Sequence, residues 1–290
     1  MNIYQIITDR IIAQLEQGII PWQKPWKGVR DYPYSRSTGR PYSLLNRILL
    51  DKPGEYLTFD QCRKAGGHVR KGEKSSIVVF WRIYDKKTTA EDGTVKTEHI
   101  PLLKYINVFH IDQCEGIEPR FKPEELREFD PVIEAEDIAQ QYSERAGVPI
   151  MNLQQNRAFY RPSEDAIYMP LKEQFISEAH YYASLFHEMG HSTGHESRLN
   201  RLAKGFTFGD EEYSKEELVA EMTSAVIMNR LNLETSDTFT NTAAYIQSWL
   251  NVIKQDNRMV VSAASKAEKA VELILGETPT AAQDTEKEAA

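Results

Sequence analysis

Residues 187 to 191 read His-Glu-Met-Gly-His, and no other feature limits the fold of this chain as tightly. Residues four apart share one face of an α-helix, so His187 and His191 can aim both imidazoles at one ion through metal–nitrogen bonds of about 2.0 Å. The segment must then be helical, and a second element must lie against it to complete the ligand set. Glu188 points beside the ion, where it can take a proton from water without filling a coordination position. The flanks suit a packed helix, since Tyr181, Tyr182, Leu185, Phe186 and Met189 supply an apolar face.

A catalytic ion of this kind needs a third protein ligand and one open position. His195 is a poor candidate, because the three-histidine spacing HExxHxxGxxH puts its last histidine at residue 197, which here is Ser197. The better candidates are Glu217 and Glu221, four apart on one face of a following helix. Glu217 is the favoured ligand, with Glu221 hydrogen-bonded to the free ring nitrogen of a ligand histidine; the alternative is Glu221 as ligand. For two histidines and a glutamate the default ion is Zn2+, with Mn2+ or Co2+ able to replace it.

The chain of 290 residues is long enough for two domains. A helical pattern (Ile3, Ile6, Ile7, Ile11, Leu15) stops near Gly18. Two strand-like runs follow, Ser75 to Tyr84 and Pro101 to Ile111, expected to pair antiparallel around a turn at Asp92-Gly93. Trp81, inside the first apolar run, is assigned to the core. A polar linker begins at about residue 114, and a new helix starts at Asp130-Pro131 and closes at Gly147. Short strands are expected over residues 148–170, and helices over 175–193, 214–231 and 242–275, the last in two pieces. The resulting fold class is α+β. A mixed α+β domain, residues 1–125, precedes a mainly helical domain with a small antiparallel sheet, residues 126–276, and a disordered tail, residues 277–290.

Net charge divides at the same place. Residues 1–110 hold 18 Lys and Arg against 11 Asp and Glu, whereas the remainder holds 17 against 32. Any contact with nucleic acid phosphates therefore belongs to the first half. Proteins that hold single strands need a cationic groove and exposed ring faces, each stacked base contributing about 1–3 kcal/mol. The first half has both ingredients. Its candidate contacts are Trp22, Lys24, Trp26, Arg40, Tyr42, Asn46, Arg70, Lys71 and Lys74, the last three next to Gly72 in a glycine-basic loop.

The two halves together resemble a known family. Phe186 to His195, then Arg198 to Arg201, Glu217 to Glu221 and Tyr245 to Leu250 are similar to the zincin-like domain of the ArdC family of antirestriction proteins. Pro21 to Trp26, Tyr42 to Asn46, Tyr56 to Gln61 and Val69 to Lys74 resemble the single-stranded-DNA-binding domain that this family shares with TraC-type conjugative primases. The likeness covers about residues 1–275. It implies a mobile-element protein that shields incoming DNA from restriction, binds single strands without regard to sequence, and carries a gluzincin-type metal site. Two other readings remain open: a regulatory zinc metallopeptidase that cleaves an unidentified protein target independently of DNA, and a DNA-coating protein whose metal is structural.

No run approaches the roughly 18 to 20 apolar residues that cross a bilayer, and the first residues lack a signal-peptide plan, so no membrane partner is expected. Cys62 and Cys114 are isolated and form neither a disulfide framework nor a cysteine metal site. A cytoplasmic location suits both observations.

Overall fold

The computed structural model describes residues 2–17, 20–22, 33–50, 52–89, 95–120, 131–202, 211–233, 249–251 and 253–277. The chain divides into two units, Tyr32–Pro123 and the pair of segments Asn2–Asp31 and Glu124–Pro279. The fold is mixed α+β, as the sequence implied. The first segment of the chain groups with the C-terminal half, whereas a cut near residue 125 leaves it in the N-terminal one.

In the first unit, strands β1 (Pro33–Ser35), β2 (Gly54–Leu57), β4 (Ser76–Thr89) and β5 (Val95–His110) form one sheet in the order β1-β2-β5-β4. Its main body is the β4–β5 ladder, which runs from Ser76↔Val108 to Thr89↔Val95. The expected antiparallel pair is therefore present; its turn at Asp92-Gly93 lies outside the described residues. Helix α2 (Leu44–Leu49) packs on the sheet, and α3 (Phe59–Lys64) starts in a capping box between Thr58 and Gln61. A small pair, β3 (His68–Val69) and β6 (Cys114–Glu115), closes the unit.

Sequence and packing meet at two positions here. Gly54 has φ +109°, and a Cβ there would come within 2.9 Å of the His110 ring, whose Nε2 lies 2.8 Å from the Pro53 carbonyl oxygen. Asn46 is buried and its amide closes the edge of β4: Nδ2 donates to the Val79 carbonyl at 2.8 Å and Oδ1 accepts from the Val79 N–H at 2.7 Å. Trp81 departs from its core assignment. Val78, Val79 and Phe80 are buried, Val78 against Tyr42, Leu50, Tyr56 and Val108, but one residue further on the cover ends and Trp81 is 38% exposed.

In the second unit, α1 (Ile3–Glu16) buries Ile7, Ile11 and Leu15, and its Thr8 hydroxyl donates to the Asn257 carbonyl at 2.8 Å. Helix α4 (Pro131–Ala146) ends where Gly147 takes φ +67°. Strands β7 (Ile150–Leu153), β8 (Phe159–Arg161) and β9 (Ala166–Pro170) form a sheet in the order β7-β9-β8. This sheet is mixed rather than antiparallel. A tight turn through Asp165, at φ +48°, folds β8 back along β9, whereas β7 lies on the far side of β9 and runs parallel to it. Helices α5 (Glu178–Ser192), α6 (Glu211–Arg230) and α7 (Met259–Leu275) complete the unit, and residues 249–251 and 253–255 are helical as well. The core joins Tyr142 of α4, Ile167 and Met169 of β9, Tyr182, Phe186 and Met189 of α5, Met228 of α6 and Ile274 of α7. Among the described residues, no helix is long and apolar enough to cross a membrane.

Candidate metal centre

Helix α5 is capped at its start by Ser177, whose side chain accepts from the His180 N–H. Its buried face fixes the helix against the core and turns His187 and His191 toward α6. There the two Nε2 atoms lie 3.0 Å apart, with their rings at 81° to each other. Glu217 reaches across from α6, placing Oε2 at 3.5 Å from His187 Nε2 and Oε1 at 3.3 Å from His191 Nε2. Ligand atoms on a tetrahedral ion with bonds of about 2.0–2.1 Å are separated by about 3.3–3.4 Å, so these three side chains converge as one coordination sphere requires. They are the group among the described residues whose donor atoms could share one ion.

The approach of α6 depends on residue size at one crossing point. A Cβ on Gly190 would lie 3.1 Å from Ala220 Cα and 3.3 Å from Thr223 Cβ, so glycine on one helix faces alanine on the other. Leu218, Val219, Met222 and Ala225 are buried around that contact, and Ser224 donates across it to the Ala183 carbonyl at 2.8 Å. Ala220 lies between Glu217 and Glu221, so the close crossing brings both carboxylates to the histidines.

Four carboxylates surround the imidazoles. Glu188 is buried, and its Oε2 accepts from the Tyr160 N–H of β8 at 2.8 Å. Glu221 Oε1 lies 3.7 Å from His187 Nδ1, while its buried Oε2 has no hydrogen-bond partner. Glu216 Oε1 lies 3.7 Å from His191 Nδ1, and Arg201 grips Glu216 with bonds of 2.8 and 3.1 Å. The same arginine donates to the Gly190 carbonyl and the Thr193 hydroxyl, each at 2.9 Å. Arg198 donates to the Ser192 carbonyl at 2.8 Å, so two cations close the C-terminal end of α5.

This arrangement shifts both imidazoles and the three carboxyls that face them from α6. Burial pushes His191 down, but hydrogen bonds to Glu216 and Glu217 outweigh it and raise the imidazole to about 10. Burial pushes His187 down as well, and its hydrogen bond to Glu217 outweighs that and raises it. Glu217 is held far below the carboxylate range, burial again being outweighed, here by both histidines. Glu221 moves the other way, raised by burial above all. Two histidines amid so many buried carboxylates, one with an orphaned oxygen, suit a bound dication better than protons.

The remaining candidates are scattered. His195 stands apart, its Nδ1 2.8 Å from Ser197 Oγ and 3.8 Å from Asp165. Of the residues assigned to DNA, Lys24 and Trp26 lie outside the described residues. Trp22, Tyr42 and Asn46 are buried; Trp22 packs edge-on against Trp249 at 5.2 Å and Tyr42 against Tyr56 at 6.5 Å. Arg40, Arg70, Lys71 and Lys74 are exposed, Arg70 being paired with Glu73 at 2.7 Å. Reading the sequence missed Glu216, Arg201 and the Tyr160 N–H. Glu216 was visible only as the neighbour of Glu217, rotated about 100° away on the helix.

Two family models match the chain, one described as a zincin-like metallopeptidase over residues 137–266 and one as the N-terminal domain of the anti-restriction factor ArdC over residues 1–109. Two Escherichia coli DNA primases TraC are each 34% identical over 94% of this chain, which spans only 27% and 20% of their lengths. The uncharacterised protein y4eC of Sinorhizobium fredii (strain NBRC 101917 / NGR234) is 32% identical, with 92% of this chain matched to 90% of that protein. Among solved structures, the metal-free antirestriction protein ArdC of plasmid R388 is 35% identical, with a TM-score of 0.73 and coverage of 94% of this chain and 97% of that one. Its Mn(II)-bound form gives 33% identity, a TM-score of 0.74 and coverage of 97% and 100%.

Proposed function

This chain belongs to the ArdC family of antirestriction proteins, and from that premise we propose that it protects incoming DNA from restriction. Its basic N-terminal half holds single-stranded DNA, and its C-terminal half is a gluzincin-type metallopeptidase acting on a protein target. The observation that carries the second half is the convergence of His187, His191 and Glu217 within bonding range of one point, with Glu188 beside them. Zinc is the default ion for that donor set, and the manganese in the R388 relative supports a divalent cation of this general kind. When bound, such an ion supplies Lewis-acid polarisation of a carbonyl and lowers the pKa of water.

The chain's own groups do the rest. Glu221 and Glu216 face the outward ring nitrogens of His187 and His191 at 3.7 Å, where they favour protons on Nδ1 and leave both Nε2 atoms for the ion. The Tyr160 N–H pins Glu188 Oε2, so Oε1 is the atom that takes a proton from the attacking water and returns it to the leaving amide nitrogen. Strand β8 is an edge strand, and its open side next to Glu188 would receive a peptide in extended form.

A restriction-protection assay tests the whole reading, comparing wild type with Glu188→Ala and with Lys71→Glu/Lys74→Glu. The expected result is that the charge reversal weakens protection and single-strand binding together, while Glu188→Ala keeps metal and DNA binding but abolishes peptide cleavage. Full protection by Glu188→Ala would instead leave a DNA-coating protein whose metal is structural. A wild type that cuts its target yet shows no salt-sensitive single-strand binding would leave a peptidase acting independently of DNA.

A further inference from the structure

We propose that the β4–β5 ribbon around Trp81 and Tyr105 is the stacking platform for single-stranded DNA; this rests on the reading that the N-terminal half binds single strands. The fold removes two other candidates, because Trp22 and Tyr42 are buried and neither offers a ring face to a base. Exposed large hydrophobic residues are concentrated elsewhere: of the six described in the first unit, five are Trp81, Ile83, Tyr84, Leu102 and Tyr105 on this ribbon, and the sixth is Phe59. Trp81 is 38%, Tyr84 57% and Tyr105 46% exposed.

The register explains how they are presented. Val79 pairs with Tyr105 and Trp81 with Leu103, so Trp81 and Tyr105 are diagonal neighbours on one face, with backbones about 7–8 Å apart. Ile83 and Pro101 extend that face. Strand β2 pairs with β5 only at Phe109 and His110, and Asn46 covers β4 at Val79, so among the described residues no further strand lies along the ribbon beyond those points. The continuous ladder between the two strands holds the rings in fixed positions, so little order must be created on binding.

An apolar face alone would suit many partners, and charge makes the choice. Arg82 and Lys104 adjoin Trp81 and Tyr105 in sequence and so leave the ribbon on its opposite face, from which their long stems reach toward the edges that a backbone with its bases on the rings would pass. Asp85, the acidic residue next to Tyr84, is paired with His99 at 2.6 Å. Residues 32–123 as a whole carry 16 Lys and Arg against 11 Asp and Glu. Rings with adjoining cations fit a strand of unpaired bases and phosphates, because every base has a face to stack and every phosphate attracts a cation.

The test is fluorescence anisotropy of a labelled oligo-dT with the full chain, at two salt concentrations. Trp81→Ala/Tyr105→Ala should weaken binding by about tenfold or more with the salt dependence unchanged, whereas Arg82→Glu/Lys104→Glu should also reduce the salt dependence. Trp81→Phe/Tyr105→Phe should restore most of the affinity, and Phe59→Ala should leave it at the wild-type value. Matching melting temperatures confirm that all variants fold. If wild type binds and Trp81→Ala/Tyr105→Ala binds equally well, the platform is refuted while the single-strand reading stands. The platform is refuted in the same way if those substitutions dissociate a dimer with DNA affinity intact, since the face would then serve a second copy of the chain. If wild type binds no single strand, both fall.

Discussion

At the scale of single residues, three glutamates on one helix stand at different positions around the imidazoles, and substitution by the neutral, nearly isosteric glutamine tests the task proposed for each. Glu216→Gln and Glu221→Gln each remove a partner from the far side of a histidine ring and should lower zinc affinity about 10–100-fold, as read by competition with a chelating dye. Glu217→Gln removes a donor and should lower it further. Equal losses from Glu217→Gln and Glu221→Gln would mean that the ligand has been misassigned. Affinity should rise with pH, because the ion must displace the protons that the surrounding carboxylates hold on His191 up to about 10. The convergence of His187, His191 and Glu217 was legible in the sequence because helical spacing fixes which residues share a face. Glu216 was not, since its task comes from Arg201, delivered by a loop whose path spacing rules do not describe. The aromatic residues were misread for a related reason: Trp81 and Val79 look alike in an apolar strand, and only the position of Asn46 and α2 decides where cover ends.

At the scale of elements, the centre is set by how closely α5 and α6 approach. Gly190→Ala would press a methyl group to 3.1 Å from Ala220 Cα, forcing the helices apart by a few tenths of an ångström. We expect a loss of about 1–3 kcal/mol in denaturant unfolding. Metal affinity should fall with it, because Glu217 sits one residue short of a turn from the contact; unchanged affinity would show that side-chain adjustment absorbs the strain. The main helices and the β4–β5 pair could be read from periodicity and from caps such as Gly147. The mixed order of the small sheet could not, since periodicity states that β7 is a strand but not on which side of β9 it will lie.

At the scale of the whole molecule, the first sixteen residues belong energetically to the far end of the chain. Deleting residues 1–17 strips Ile7, Ile11 and Leu15 from the second unit, each contributing about 1.5–3 kcal/mol by burial, and should lower its melting temperature sharply. Single-strand binding should survive, because the exposed basic residues and the β4–β5 ribbon lie in Tyr32–Pro123. Loss of DNA binding with an unchanged melting temperature would reverse that allocation. The sequence displayed the amphipathic helix plainly, but its partner is more than 240 residues away, and no local pattern reports so distant a contact.

That arrangement has a consequence for synthesis. The segment Tyr32–Pro123 is continuous and can close as soon as it leaves the ribosome, whereas helix α1, made earlier, has no docking surface until α7 and the turn at Asn257 have been translated. Helix α1 therefore waits as an apolar helix without its partner while the more than 240 residues that separate Thr8 from Asn257 are made, and it finds its place only after them.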